Sequence, residues 1–288
     1  MILISLLLAL ALDRMVTRTK YWQSAVWVRA GLRKFNISAQ QDEASRRIWL
    51  YLFVPALVLA LLETYVLGGF LTFIEQTIVL FITISCTRFR DIYKFWIQAA
   101  HREDAEACDL YERQLHLGLL GKRDKKSTPD DGTRMQRLLL LANFRYFGAV
   151  ILFFIFFGAP GALFYMCVRE AHQYYREHQH AAARVTHRLL FALEWLPARA
   201  TTLGYLIVGH FSKAAGVWLE TLTNTTNDTA DVLWSVAREA EVIDDEGSLG
   251  YSKAAALAHV QAGVRLAKRN IIFLLVVTSL LTLGGWLA

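Results

Sequence analysis

The sequence predicts an all-α, polytopic membrane protein, and three observations carry that expectation. Hydrophobic residues make up 55% of the 288 positions and the mean hydropathy is +0.32, too apolar for a typical soluble domain. Long apolar runs recur from the first residue to the last, and Lys and Arg gather in the stretches between them. Length alone permits two soluble domains, but this distribution predicts one membrane-embedded unit over residues 1–288 with four to five membrane segments. They are expected at about 1–12, 48–67, 70–86, 147–168 and 271–288, with cytoplasmic helical regions at about 13–47, 87–146 and 169–270.

The opening run lacks a basic n-region, and Asp13-Arg14 follows it without a small-residue cleavage site. It reads as a retained anchor or half-span and not as a signal peptide. Residues 48–67 (IWLYLFVPALVLALLETYVL) have the roughly 20-residue length that crosses a bilayer, with Pro55 as a tolerated kink. Gly68-Gly69 then turns the chain, and 70–86 runs back, making a helical hairpin.

From residue 87 to 145 the chain is polar, and the mixture of apolar and charged residues over 93–117 predicts one surface or membrane-skirting helix. The stretch 121–132, which includes the Lys122 to Lys126 run, has no large apolar residue and reads as a mobile loop. Residues 147–168 (FGAVILFFIFFGAPGALFYMCV) are apolar but interrupted by Gly158-Ala159-Pro160-Gly161. They predict either a kinked span or two half-helices meeting at the break.

Beyond residue 168, the segment 189–219 is moderately apolar yet holds Glu194, Arg199, His210 and Lys213. It either lies in the interface or dips into the membrane. Residues 224–231 form a polar linker, 232–267 are amphipathic with Gly247-Ser248-Leu249-Gly250 as a break, and 271–288 is the last apolar helix.

Positive charge sets the orientation. Arg14, Arg18, Lys20, Arg29, Arg33, Lys34, Arg46 and Arg47 follow the first anchor, and Arg88, Arg90, Lys94 and the Lys122 to Lys126 cluster follow the hairpin, which puts both stretches in the cytoplasm. Lys268 and Arg269 argue the same for the stretch before the last helix. For 169–270 to be cytoplasmic as well, the broken block is either re-entrant or paired with a further span near 203–219.

The net charge of +6 is spread over loops beside apolar segments, which fits topology and anionic lipid and argues against nucleic acid. Cys86, Cys108 and Cys167 show no metal or redox spacing and read as free thiols. Neither GxxxxGK[ST] nor GxGxxG occurs, nor do GxSxG, HExxH or SxxK, so no common nucleotide or hydrolase fingerprint is present.

Two constellations carry chemistry. Glu63 and Glu75 lie within about two turns of the Gly68-Gly69 turn, at similar depth on neighbouring helices. They are either a proton or cation site or interfacial carboxylates that reach water. His172, His178, His180 and His187 cluster with Arg176, Arg184 and Arg188. Imidazoles so placed serve a metal or a pH response, but no Asp or Cys completes a ligand set and a solvated basic face accounts for them, so no metal is expected.

The blocks 143–178 (NFRYFGAVILFFIFFGAPGALFYMCVREAHQYYREH) and 191–214 (FALEWLPARATTLGYLIVGHFSKA), with LLLALALDR at the start, look like the AmpE family of β-lactamase induction modulators. The resemblance implies a multi-pass protein of the bacterial inner membrane. It implies an accessory, sensory role beside the cytosolic amidase AmpD, linked to peptidoglycan-fragment recycling.

The family's wider resemblance is to the CbiB/CobD cobinamide-phosphate synthases. Gly158-Ala159-Pro160-Gly161-Ala162 and Leu196-Pro197-Ala198-Arg199 match that pattern, while Met166, Leu190-Phe191 and Glu194 stand where those enzymes carry Arg, paired acids and Asn. Without paired acids to hold Mg²⁺ against phosphate, the ligase reaction and its ATP/Mg²⁺ are a secondary reading and no cofactor is expected.

The resemblance implies a structural break at Gly158, Pro160, Gly161 and Pro197, and an anionic-ligand site of Tyr165, Arg169, Arg184, Glu194 and Arg199. The ligand would be a muropeptide held by half-helix N-termini and Arg199. A third reading, a small transporter, would use the broken helix and the membrane acids Glu63 and Glu75. Apolar outer faces make a homodimer a further expectation.

Overall fold

The computed structural model describes residues 2–16, 24–34, 41–84, 87–121, 133–180, 182–224, 226–241 and 253–286. Among them every regular element is a helix: α1 (Ile2–Met15), α2 (Ser24–Lys34), α3 (Gln41–Tyr65), α4 (Gly69–Thr83), α5 (Thr87–His101), α6 (Ala105–Leu120), α7 (Thr133–Asn143), a π-turn (Phe144–Gly148), α8 (Ala149–Glu177), α9 (Ala183–Val208), α10 (Phe211–Thr223), α11 (Thr229–Ala240) and α12 (Lys253–Leu283). The expected Lys122 to Lys126 loop and the Gly247 to Gly250 break lie outside the described residues, as does Cys86.

Among the described residues three helical stretches are long and apolar enough to cross a membrane: Ile48–Tyr65, Thr133–Glu177 and Ala256–Leu283. Gly69–Thr83 and Thr87–His101 pass the same test of length and apolarity only when taken together, as a broken pair that would make a fourth span. The chain is therefore an all-α polytopic membrane protein. Helix α1 has 14 residues, about 21 Å at 1.5 Å per residue, which is shorter than a full span.

Several boundaries differ from the sequence expectation, each for a local reason. The single helix expected over 93–117 is two, because Asp104 starts a new helix by accepting a hydrogen bond from Ala107 N at 3.0 Å, with Glu103 left-handed before it at φ 58°. The segment 189–219 parts at Gly209-His210, where His210 N donates to Ala240 O at 2.8 Å. The last apolar helix begins at Lys253, since the described stretch leading to residue 271 holds no breaker.

The chain divides into two compact units, and α9 and α12 contribute to both. Unit 1 comprises residues 1–85, 149–193 and 275–288. Its centre is α8, against which α2, α3 and α4 pack, with α1 on α4. Helices α3 and α4 join through a tight turn at Val66–Gly68, as the glycine pair predicts. Leu50, Phe53, Leu57, Val58 and Leu61 leave one side of α3 apolar and exposed, while Ile48 and Leu52 face inward. An apolar outer face with a small buried seam is what lipid solvates.

Within α8 the helix is broken at Gly158, whose φ of 66° and ψ of −163° only glycine adopts without strain. Pro160 falls in the first turn after the break, where its missing N–H costs no helical bond. A Cβ at Gly161 would overlap Phe157, so the break is closely packed.

Unit 2 comprises residues 86–148 and 194–274. Helix α5 pairs with α6, α6 with α7, α7 with α11, and α11 with α10. Leu115, Met135, Leu141, Phe144, Leu233, Val236 and Leu266 fill its interior.

Candidate functional site

In unit 1, Tyr165, Arg169 and His172 fall on one side of α8 at spacings of four and three. All three are buried. The Arg169 guanidinium donates to Glu170 Oε1 from Nε at 3.2 Å and from Nη2 at 3.0 Å, and to Thr83 O at 3.4 Å. It also lies 5.9 Å from the Tyr165 ring centroid. Ser24 Oγ donates to the same Glu170 oxygen at 3.4 Å. Arg169 is thus neutralised by its own neighbour, a buried pair that costs desolvation and is held by its hydrogen bonds. The sequence reading missed Glu170, although two opposite charges side by side in an apolar helix are a readable signal.

The histidines divide. His172 Nδ1 lies 3.2 Å from Thr186 Oγ1, and its ring is 5.5 Å from that of His187. His178 Nδ1 meets Tyr174 O at 2.8 Å, and His180 Nδ1 accepts from Ala182 N at 3.1 Å. Arg184 and Arg188 are exposed on α9 beside them in sequence. Among the described residues no three His, Cys, Asp or Glu side chains gather in a way that would hold a metal ion.

The two membrane acids come together. Glu75 faces Glu63, and Gln76 Nε2 donates to Glu63 Oε1 at 3.4 Å. Glu63 Oε2 lies 4.0 Å from where a Cβ on Gly158 would stand, so the acid pair borders the break in α8.

In unit 2, Glu194 receives Arg145 through two parallel bonds, Nε to Oε1 at 2.7 Å and Nη2 to Oε2 at 3.0 Å. Arg145 also donates to Leu119 O at 3.0 Å. This bidentate geometry is the strong form of the pair, and it sits on the π-turn, a helical irregularity that places Arg145 toward α9. Arg145 was not among the residues singled out from sequence, because its partner lies 49 positions away.

Arg199 is buried, and its guanidinium donates to backbone carbonyls. It donates to Trp195 O at 3.0 Å, Thr221 O at 2.9 Å and Asn224 O at 3.1 Å, and its guanidinium carbon lies 4.0 Å from the Trp195 ring centroid. Thr221 and Asn224 end α10, so Arg199 satisfies the carbonyls and negative dipole at that C-terminus. Burial lowers its pKa from the ordinary value. Helix α9 continues through Pro197, so no half-helix N-terminus opens beside Arg199. Nη1 and Nη2 are committed to carbonyls, while the buried Nε has no hydrogen-bond partner.

Of the residues expected to bind an anion, Tyr165 and Arg169 therefore meet in unit 1, with Arg184 exposed in the same unit, and Glu194 and Arg199 belong to unit 2. A family model described as regulatory signalling modulator protein AmpE matches residues 1–288. A curated protein AmpE from Shigella flexneri is 24% identical, in an alignment covering 99% of this chain and 99% of that protein. No solved structure matches the chain.

Proposed function

Because the chain belongs to the AmpE family of regulatory signalling modulator proteins, we propose that it is an accessory, sensory protein of the bacterial inner membrane. It acts in β-lactamase induction and responds to an anionic cell-wall metabolite released in peptidoglycan recycling, with the cytosolic amidase AmpD as a partner. The observation that carries the reading is a family match over the whole length of a chain with three to four membrane-crossing helices. The charge arrangement supports a signalling role. Arg169 and Glu194, which a ligase reading would need for phosphate and metal, are each engaged by an internal partner, and Arg199 caps a helix.

The exposed Arg184 and Arg188 on α9, with His178 and His187 near them in sequence, are the cations this reading assigns to an anionic ligand. On this reading the positively charged stretches face the cytoplasm. ATP and Mg²⁺ belong only to the ligase alternative.

Two measurements test the proposal. Deleting the gene in its host is expected to change the ratio of induced to basal β-lactamase activity several-fold, and an unchanged ratio would overturn the signalling role. Thermal unfolding of the detergent-purified chain with anhydro-muropeptide is expected to show stabilisation that Arg184→Ala removes. Stabilisation by ATP/Mg²⁺ instead would favour the ligase reading.

A further inference from the structure

The second half of α9 and the whole of α10 carry an apolar face that the interior of unit 2 does not use. On α9, Leu196, Leu203 and Ile207 recur at spacings of seven and four, so at about 100° per residue they share one side. Ala198, Thr201, Thr202 and Tyr205, on the opposite side, are buried. On α10, Phe211 and Leu219 keep to one flank, the exposed Lys213 and Glu220 stand roughly opposite, and Ala214 and Thr221 are buried. Leu196, Phe211 and Leu219 are 64%, 61% and 58% exposed, as open as Ile272 at 60% on the membrane-crossing α12.

Packing fixes the depth of this face. The apolar run of α12 starts at Ile271, directly after Lys268 and Arg269, and such charges mark the water-facing end of a span. A Cβ on Gly204 would stand 1.9 Å from Asn270 Oδ1 and 3.3 Å from Phe273 Cδ1, so the middle of α9 sits against α12 where that helix enters the bilayer. The turn between α9 and α10 is held at a charged level too. His210 N donates to Ala240 O at 2.8 Å, and the next residue, Glu241, pairs with Arg269. At the other end of the hairpin the Arg199 guanidinium carbon lies 4.0 Å from the Trp195 ring centroid, and Trp218 Nε1 donates to Arg199 O at 3.3 Å. Tryptophan rings and arginine stems are what a headgroup layer favours. A hairpin with polar groups at both ends and an apolar flank between them lies along the interface, its apolar side about 5–10 Å into the acyl boundary.

We propose that Leu196, Leu203, Ile207, Phe211 and Leu219 dock the α9–α10 hairpin onto the lipid bilayer as an interfacial element beside the span of α12. Lipid is the occupant because this face meets α12 at the start of its span and is as open as the span's own outer side. Lys213 and Glu220 stay in water, and the stretch 203–219 skirts the membrane without adding a span. The placement rests on the membrane reading alone and is independent of the muropeptide.

The test uses the wild-type full chain in vesicles of phosphatidylethanolamine and phosphatidylglycerol. It is labelled in parallel by a lipid-confined aryl-diazirine carbene and by hydroxyl radicals generated in the water, and the adducts are mapped by mass spectrometry. Carbene adducts are expected on Leu203, Ile207, Phe211 and Leu219 at a yield comparable to that on Ile272, with Lys213 labelled only from the water. Radical adducts on the four apolar residues in place of carbene adducts would overturn the proposal and leave the face in water. Protection of the four from both reagents would overturn it in favour of a protein cover, a second copy of this chain or another chain. Loss of carbene labelling at Ile272 as well would overturn the span of α12 on which the placement rests.

Discussion

Arg169 in unit 1 and Arg199 in unit 2 are the same residue type, both nearly fully buried, and they are neutralised by opposite means. Arg169 has a carboxylate, the adjacent Glu170. Arg199 has carbonyls at the C-terminal end of α10 and an aromatic face. The difference matters because a carboxylate left behind is a buried charge, whereas helix-end carbonyls left behind are orphans that water satisfies at most helix ends. Deleting either partner of the first pair should therefore damage the fold more than deleting the lone cation of the second.

The largest effect is expected for Glu170→Ala, which strands the Arg169 guanidinium. The loss should be about 3–5 kcal/mol in denaturant titration of the detergent-solubilised protein. The double change Arg169→Met with Glu170→Leu should recover most of it, since a buried pair replaced by apolar residues is often neutral. Recovery would establish that the pair stabilises through neutralisation alone; its failure would mean that the bond to Thr83 O also holds α4 to α8.

Arg199→Met is expected to cost less, about 1.5–3 kcal/mol, the value of hydrogen bonds to a charged group. Hydrogen exchange should report the loss at the last turn of α10 first, because that is where the carbonyls are freed. Equal losses at Arg199→Met and Glu170→Ala would break the comparison.

Gly204→Ala sharpens it within unit 2. The added Cβ collides with Asn270 Oδ1, and overpacking of this kind costs about 1–3 kcal/mol, measured as a lower unfolding midpoint. Pairing it with Asn270→Ala should return part of the loss by removing the colliding atom. The smallest effect belongs to Asp104→Ala, which removes an exposed N-cap outside both buried centres and should cost about 1 kcal/mol. Its measured shift sets the scale against which the buried arginines are judged.

The membrane spans were legible because each is written within one stretch of chain. Residues 48–65 advertise a span by length and apolarity, and the run at Gly158-Ala159-Pro160-Gly161 announces a helix break. The Glu63 and Glu75 pair was also within reach, since a two-residue glycine turn leaves little doubt that its flanks are neighbours. The Tyr93 to Leu117 stretch was read as one helix because Asp104 is both a tolerable helix residue and a good cap, and only the pairing of α5 with α6 decides which.

The sequence by itself determined that this chain is helical and membrane-bound, because hydrophobicity and helix breaks act locally and the bilayer demands a fixed length of apolar helix. The tertiary structure alone decided which charges are spent on the fold. Arg145 finds Glu194, Ser24 finds Glu170 and Arg199 finds the end of α10. Those partners are 22 to 146 residues apart, and no local rule of spacing connects them. Neutralisation in an apolar interior depends on distance in space, and packing sets that distance.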